Sequence, residues 1–284
     1  MLMTQVVEVK RGFADLPHGQ THYRTAGSGP ALLAIHASPG SSRQLVNLIR
    51  DLADGATVYA PDTPGNGDST ALFDREPTIQ ELAEAELRFM DAMGLDKVDL
   101  YGSHTGAAIA GELAILAPDR INKVVLDGMS WLTAEELEDI IANYAFPFVP
   151  DQDGSYLTRL FQFCRDQYLF FPWYKHVRAN RRDGSLGSPQ DLHAWALEVM
   201  KASETYHLNY RAAFKYDAKP RLPLITVPAL AIAGENDPLF DITGELAQLI
   251  PGGRFEGMPR FDAPTFAAER KAKITSFFAQ TVTA

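Results

Sequence analysis

The chain has 284 residues, 46% of them hydrophobic and 22% charged, with a formal net charge of −10 and a single cysteine, Cys164. That length and apolar content suit one large α/β domain carrying an insertion, the acidic balance without a basic run speaks against nucleic acid and anionic membrane surfaces as partners, and one cysteine excludes an internal disulfide framework. No apolar run approaches the roughly 20 residues of a membrane span, and Met1 to Phe13 carries charges where a signal peptide has its apolar core, so a cytoplasmic protein is expected.

Residues Gln5 to Phe13 and Gln20 to Thr25 read as two short strands of an antiparallel hairpin, separated by the turn-forming Leu16, Pro17, His18 and Gly19. His18 and His22 are expected on its solvated side and not in a metal site. Ala31 to Ile35 is a continuous apolar run, as in a strand covered on both faces, and it ends in His36, Ala37, Ser38, Pro39 and Gly40. His36 reads as a buried histidine bracing that loop. A helix over about Gln44 to Leu52 and a buried strand, Ala56 to Ala60, lead into the run Pro61 to Ser69. Thr78 with Glu81 is a capping-box signature for a helix running to Met93, and Gly94 is its natural stop.

Lys97 to Gly111 reads as a strand, a sharp turn and a helix, with Gly102 and Gly106 flanking His104 two residues away on either side. A strand that reverses directly into a helix forces the middle residue of the turn into a strained conformation, and only small residues two before and two after it leave room. Ser103 is one position early for that apex, since Tyr101 and Thr105 would then stand where glycines are needed. Such a turn lifts one side chain clear of the sheet edge, beside the helix N-terminus.

Lys123 to Leu126 is a further buried strand ending at Asp127 and Gly128. Strands alternating with helices at this spacing imply a mainly parallel, doubly wound α/β sheet whose ligands lie beyond the carboxyl ends of its strands. From Trp131 to about Pro223 the pattern changes to a helical, aromatic-rich segment containing His176, His193 and His207. Most of its aromatics should form a core of their own, with a few facing an apolar cavity below. The three histidines read as exposed or structural, although His207 beside Tyr206 is placed to hang into a site. The sheet resumes at Val227 to Ala233 and ends in Gly234, Glu235, Asn236, Asp237 and Pro238.

These motifs, in this order, resemble the α/β-hydrolase family: the Gly-x-Ser-x-Gly nucleophile elbow at Gly102 to Gly106, the His-Gly-x-Pro loop at His36 to Pro39, the Asp-x-Pro-Gly-x-Gly-x-Ser loop at Asp62 to Ser69 and the Gly-x-x-Asp-Pro turn at Gly234 to Pro238. The resemblance implies a core from residues 1–130 and 224–284 with a helical cap at 131–223. It also implies backbone oxyanion donors at Ser38 and Thr105, and Asp237 as the acid that orients a catalytic histidine, with Asp127 as the alternative acid. Two departures stand out. The elbow apex is His104 instead of serine, and counting back from Asp262 and Pro264 puts the family's catalytic histidine near Gly257, with no histidine anywhere after His207.

Two functions fit. One is a cofactor-free enzyme, a hydrolase or a lyase, rebuilt around His104 as general base or nucleophile, oriented by Asp237 and acting on a small apolar or aromatic ester, lactone or ketone; the other is a fold relative that has lost catalysis and binds a small molecule under the cap or has only a scaffolding role. Metal binding by His104, His36 and an acid lacks the ligand spacing of a metal site. The sequence leaves the oligomeric state open. If His104 and Asp237 form a dyad, a His104 ring nitrogen should stand within about 3.5 Å of an Asp237 oxygen or be bridged to it by one water.

Overall fold

The apolar runs become the middle of one eight-stranded sheet in the computed structural model, which describes residues 7–17 and 19–280. The strands are β1 (Lys10–Leu16), β2 (Gly19–Ala26), β3 (Ala31–Ile35), β4 (Thr57–Pro61), β5 (Val98–Ser103), β6 (Ile121–Asp127), β7 (Ala229–Gly234) and β8 (Arg254–Met258), in the spatial order β1-β2-β4-β3-β5-β6-β7-β8. β2 pairs antiparallel with β1 and β4, and every other pairing is parallel. The hairpin is therefore the one antiparallel edge of a parallel sheet. Its first strand starts at Lys10 and runs past Phe13 to Leu16; His18 and the first six residues lie outside the described residues.

Alternate residues of each strand face opposite sides, and helices cover both. Leu33, Ile35 and Leu100 pack under α2 (Ile79–Ala92), α3 (Thr105–Leu116) and α8 (Phe240–Ala247). Leu32, Ala34 and Tyr101 pack under α1 (Val46–Leu52) and α9 (Phe266–Ala279). The expected helix from Gln44 is split: Ser42–Leu45 is a 3₁₀ turn held by the Ser41 side chain, and the α-helix proper begins at Val46. α2 has its capping box, with Thr78 Oγ1 accepting from the Glu81 amide and Glu81 accepting from the Thr78 amide, and Gly94 stops it at φ 65°. Apart from Glu112, α3 is built of small and apolar residues, the composition of a helix buried against its neighbours.

Between β6 and β7 lie α4 (Ala134–Asn143), α5 (Ser155–Leu169), α6 (Pro189–Lys201) and α7 (Tyr206–Lys215), packed around Tyr144, Phe148, Phe163 and Tyr206. Their one β contact among the described residues is an isolated bridge, Phe170 with Arg181. Polar bonds tie them to the loops at the carboxyl ends of the strands. Glu198 accepts from Ser41 Oγ at 2.6 Å, Thr205 Oγ1 donates to the Gly65 carbonyl at 2.6 Å, and Asn209 Nδ2 donates to the Pro64 carbonyl at 2.8 Å. Behind them, buried Glu112 of α3 takes both Arg221 Nε and Nη2, at 2.6 and 2.9 Å. No described helix is long and apolar enough to cross a membrane.

The elbow depends on two close backbone approaches. A Cβ on Gly102 would stand 2.1 Å from the Gly106 carbonyl oxygen, and one on Gly106 would stand 2.3 Å from that of Ile35. Both obstacles are main chain, so no rotamer change relieves them. Gly102→Ala or Gly106→Ala should each cost about 3 kcal/mol of stability, read from urea unfolding midpoints; a wild-type midpoint in either variant would show that the turn is not this tight.

Candidate active site

β5 ends at Ser103 and α3 starts at Thr105, so His104 alone makes the reversal. It sits at φ 50°, ψ −110°, the only non-glycine positive φ among the described residues. The strained turn is held on both sides: the His104 amide donates to the Asp127 carbonyl at 2.8 Å, and its own carbonyl accepts from the Ala107 amide at 2.8 Å. The ring leaves the sheet edge and lies against Gly128, where a Cβ would come within 3.0 Å of Cδ2 and Nε2. Nε2–H donates to Asp237 Oδ2 at 2.9 Å. Asp237, in the loop after β7, has no side-chain exposure and takes the Leu239 amide on Oδ1 at 2.8 Å.

The two groups shift each other in opposite directions. Burial alone would lower the imidazole pKa, but the adjoining charge and hydrogen bond of Asp237 outweigh it and the result is upward. For Asp237, burial pushes up while the imidazole and the Leu239 amide pull down more strongly, leaving it below its ordinary value. The His104 side chain is 37% exposed, its open face turned to a cavity of about 320 Å³ that it lines together with Asp237. With Nε2 committed to Asp237, Nδ1 is free of protein partners among the described residues.

Helices α4 to α7 roof this cavity with Tyr144, Trp195, Tyr210 and Phe214, and Phe171 joins them from the loop after α5. Arg182, from the same segment, borders it too; Nη1 donates to the Gln167 carbonyl at 2.8 Å, and no carboxylate pairs with it among the described residues. Ser38 and Thr105 both line the cavity, and neither backbone amide donates to another backbone group among the described residues. Ser103 lines it as well, on the side of its β5 neighbour Tyr101 and level with Asp127 on β6. Asp127 is 7% exposed and accepts from the Tyr101 hydroxyl at 2.5 Å.

Other sequence candidates fall elsewhere. His36 is 1% exposed, with Nδ1 donating to the Ala37 carbonyl and Nε2 accepting from the Thr63 amide, each at 2.9 Å; it braces the loop and does not border the cavity. His207 is half-buried outside the cavity lining, because α7 turns Tyr210 and Phe214 inward instead. His22 is not solvated as expected: it is 2% exposed and its Nδ1 meets Asp62 Oδ2 at 2.8 Å, so the Asp62 loop anchors the hairpin from beneath. The position counted for the missing histidine is also displaced. Gly257 lies within β8, paired with Ala233, and the ring of Phe240 packs against it. The segment from β8 to α9 is only Pro259 to Thr265, and its cavity-facing side chain is Phe261.

Sequence reading missed Arg182, Tyr101 and Arg270, all of which line the cavity. None sits in a motif; Tyr101 reads as a core strand residue, and only the fold brings Arg270 of α9 to the same place.

Residues 30–259 match the alpha/beta hydrolase fold family, and the chain belongs to it. Among its relatives, the 2-hydroxy-6-oxo-6-phenylhexa-2,4-dienoate hydrolase of Burkholderia cepacia is 35% identical across 78% of this chain and 76% of that protein. The dihydrolipoyllysine-residue acetyltransferase component of the acetoin cleaving system of Cupriavidus necator is 33% identical, but across 40% of this chain and only 30% of its own length. The enol-lactonase of Burkholderia xenovorans LB400 has the same fold, with a TM-score of 0.75 at 21% identity over 95% of this chain and 100% of that one.

The opposed shifts set a pH window for stability. His104, raised, stabilises the fold below its ordinary value and ceases to as pH climbs through its folded value; Asp237, lowered, stabilises above its ordinary value and ceases to as pH falls through its folded value. The pair therefore contributes most between about pH 4 and 6.5. Asp237→Asn should lose about 1–2 kcal/mol near pH 5.5, the half-open imidazole reducing the cost of a fully buried pair. Denaturant titrations at pH 5.5 and 8.5 check this, and a loss that grows toward pH 8.5 would contradict it.

Proposed function

We propose that this protein is a cofactor-free hydrolase of a small apolar or aromatic ester, lactone or ketone, with His104 as general base and Asp237 as its orienting acid. The observation that carries the reading is the 2.9 Å bond from His104 Nε2 to Asp237 at the wall of an aromatic-roofed cavity. Asp237 holds the proton on Nε2, so the lone pair is on Nδ1, the nitrogen without a protein partner. From there it takes a proton from water as the water oxygen attacks the substrate carbonyl. The amides of Ser38 and Thr105 are the donors assigned to the oxyanion that forms, and Thr105 opens a helix whose N-terminus favours negative charge.

The cavity supports the substrate class. Its volume is that of a small-molecule site, its aromatic roof suits a planar apolar group, and Arg182 offers donors to an acidic or carbonyl oxygen beside it. The relative from Burkholderia cepacia is named for a substrate joining a phenyl group to a dienoate, the same pairing of chemical features.

His104→Ala should lower turnover of any substrate found among aryl esters, lactones and aromatic ketones by ~10²–10⁴-fold, the usual worth of a positioned base. Asp237→Asn should also cut it heavily, with both variants folded by circular dichroism. Unchanged turnover in His104→Ala removes the mechanism, whereas a wild type that turns over none of these substrates leaves a binding protein with the same cavity.

Ser103 is off the apex, and its hydroxyl has no imidazole assigned to it, because Nε2 of the neighbouring ring is taken by Asp237. Fluorophosphonate treatment should give no stoichiometric adduct at Ser103. Full labelling by mass spectrometry would restore a serine nucleophile.

A further inference from the structure

The dyad leaves one carboxyl at the same cavity unused. Asp127 ends β6 opposite Ser103, and its carbonyl holds the His104 amide. One oxygen, Oδ2, is occupied by the Tyr101 hydroxyl at 2.5 Å. The other, Oδ1, has no protein donor among the described residues, and the side chain borders the cavity. A carboxyl fixed through one oxygen and open through the other is suited to exchange a proton with a ligand.

We propose that Asp127 is the general acid of the reaction, donating from Oδ1 to the leaving oxygen while His104 takes a proton from the attacking water; this rests on the hydrolase reading above. The water oxygen bonds to the carbonyl carbon, its proton moves to Nδ1, and the negative charge collects on the former carbonyl oxygen. Collapse breaks the carbon–oxygen bond to the leaving group, which departs as a hydroxyl with the Asp127 proton. The proton on Nδ1 then returns to Asp127 through water. One ester and one water give one acid and one alcohol, and both side chains end as they began.

The surroundings of the two carboxyls separate their roles. Asp237 faces an imidazole that favours its charged form, whereas burial lifts Asp127 above its ordinary value against the pull of Tyr101, Arg270 and His104, with Asp237 adding to the lift. Two carboxyls of one site pushed apart by their environments take different roles: Asp237 favours the charge that orients the base, and Asp127 is the one disposed to hold a proton. The working species carries one proton on Asp127 and none on Nδ1; moving that proton to the imidazole gives a form of equal charge, so the pH–rate profile is bell-shaped whichever form dominates.

The test compares two esters of phenylacetic acid, ethyl and 4-nitrophenyl, since ethoxide needs a proton to leave and nitrophenolate does not. Asp127→Asn keeps the shape and an acceptor for Tyr101. It should slow the ethyl ester by ~100-fold and the nitrophenyl ester by a few-fold, and it should remove the alkaline limb of the profile. Tyr101→Phe, which takes away a donor that favours the charged carboxyl, should shift the whole profile of the otherwise intact enzyme toward higher pH. Equal slowing of both esters with the limb retained overturns the acid role, as does a ¹³C titration placing the Asp127 carboxyl at or below its ordinary value. If the leaving-group split persists but His104→Gln keeps wild-type turnover, the acid stands and the base assignment fails. A wild type inert toward every ester overturns both.

Discussion

A strand running straight into a helix has one residue in which to turn, and here that residue is a histidine at φ 50°. The conformation costs of order 1–3 kcal/mol and persists because the backbone on either side is fixed. β5 is locked between β3 and β6, α3 is buried along nearly its whole length, and the passage between them is only as wide as two glycines allow. The arrangement of the site follows from that constraint. It sets the imidazole beyond the end of β5, opens α3 at Thr105, which lines the same cavity, and brings the loops after β6 and β7 beside it.

Those two loops bring chemically identical side chains to different fates. Asp237 meets a ring that can carry positive charge, and two opposite charges about 4 Å apart attract by about 4 kcal/mol at the effective dielectric of a protein site. Asp127 meets a phenol, which offers a hydrogen bond but no charge, and a net hydrogen bond is worth only about 1 kcal/mol. Burial penalises both carboxylates. At Asp237 a hydrogen-bonded imidazole overcomes that penalty, whereas at Asp127 the phenol and the pull of Arg270 and His104, neither of which hydrogen-bonds to its carboxyl, do not, so the two pKa values move in opposite directions.

What the sequence disclosed was local or periodic. The buried strands, the capping box at Thr78, the glycines around His104 and the turn bearing Asp237 each need only a few neighbouring residues to be recognised, and each lies where expected. The approach of His104 to Asp237 followed from the missing histidine near Gly257, since a ring at the elbow is long enough to reach an acid that would otherwise face that histidine. Properties decided by distant packing were not. His22 alternates correctly for a strand, yet the face it lies on is closed by the Asp62 loop, 40 residues away. Gly257 was placed by a count back from Asp262 and Pro264, and the count did not show that β8 runs on to Met258 and takes Gly257 into the sheet. Arg182 and Arg270 come from a loop and a last helix that nothing in their own sequence marks as facing a cavity.

The missing C-terminal histidine and the histidine at the elbow are explained together by the geometry of the triad. In the usual arrangement an imidazole on the last loop spans the gap between the acid and the elbow oxygen, one nitrogen for each. Moving the ring onto the elbow keeps its bond to the acid, at 2.9 Å, while removing the oxygen it served. The nitrogen roles are exchanged as well: Nε2 faces the acid, and on the proposed reading Nδ1 is the working base. A ring carried by the elbow leaves no hydroxyl between itself and the substrate, so the simplest nucleophile on this reading is water, and the acyl-enzyme stage of a serine hydrolase has no attachment point unless the imidazole itself supplies one. On the proposed reading Nδ1 takes the proton of the attacking water, and a separate donor can protonate the departing group in the same step. The one open carboxyl on the far side of the elbow is that of Asp127.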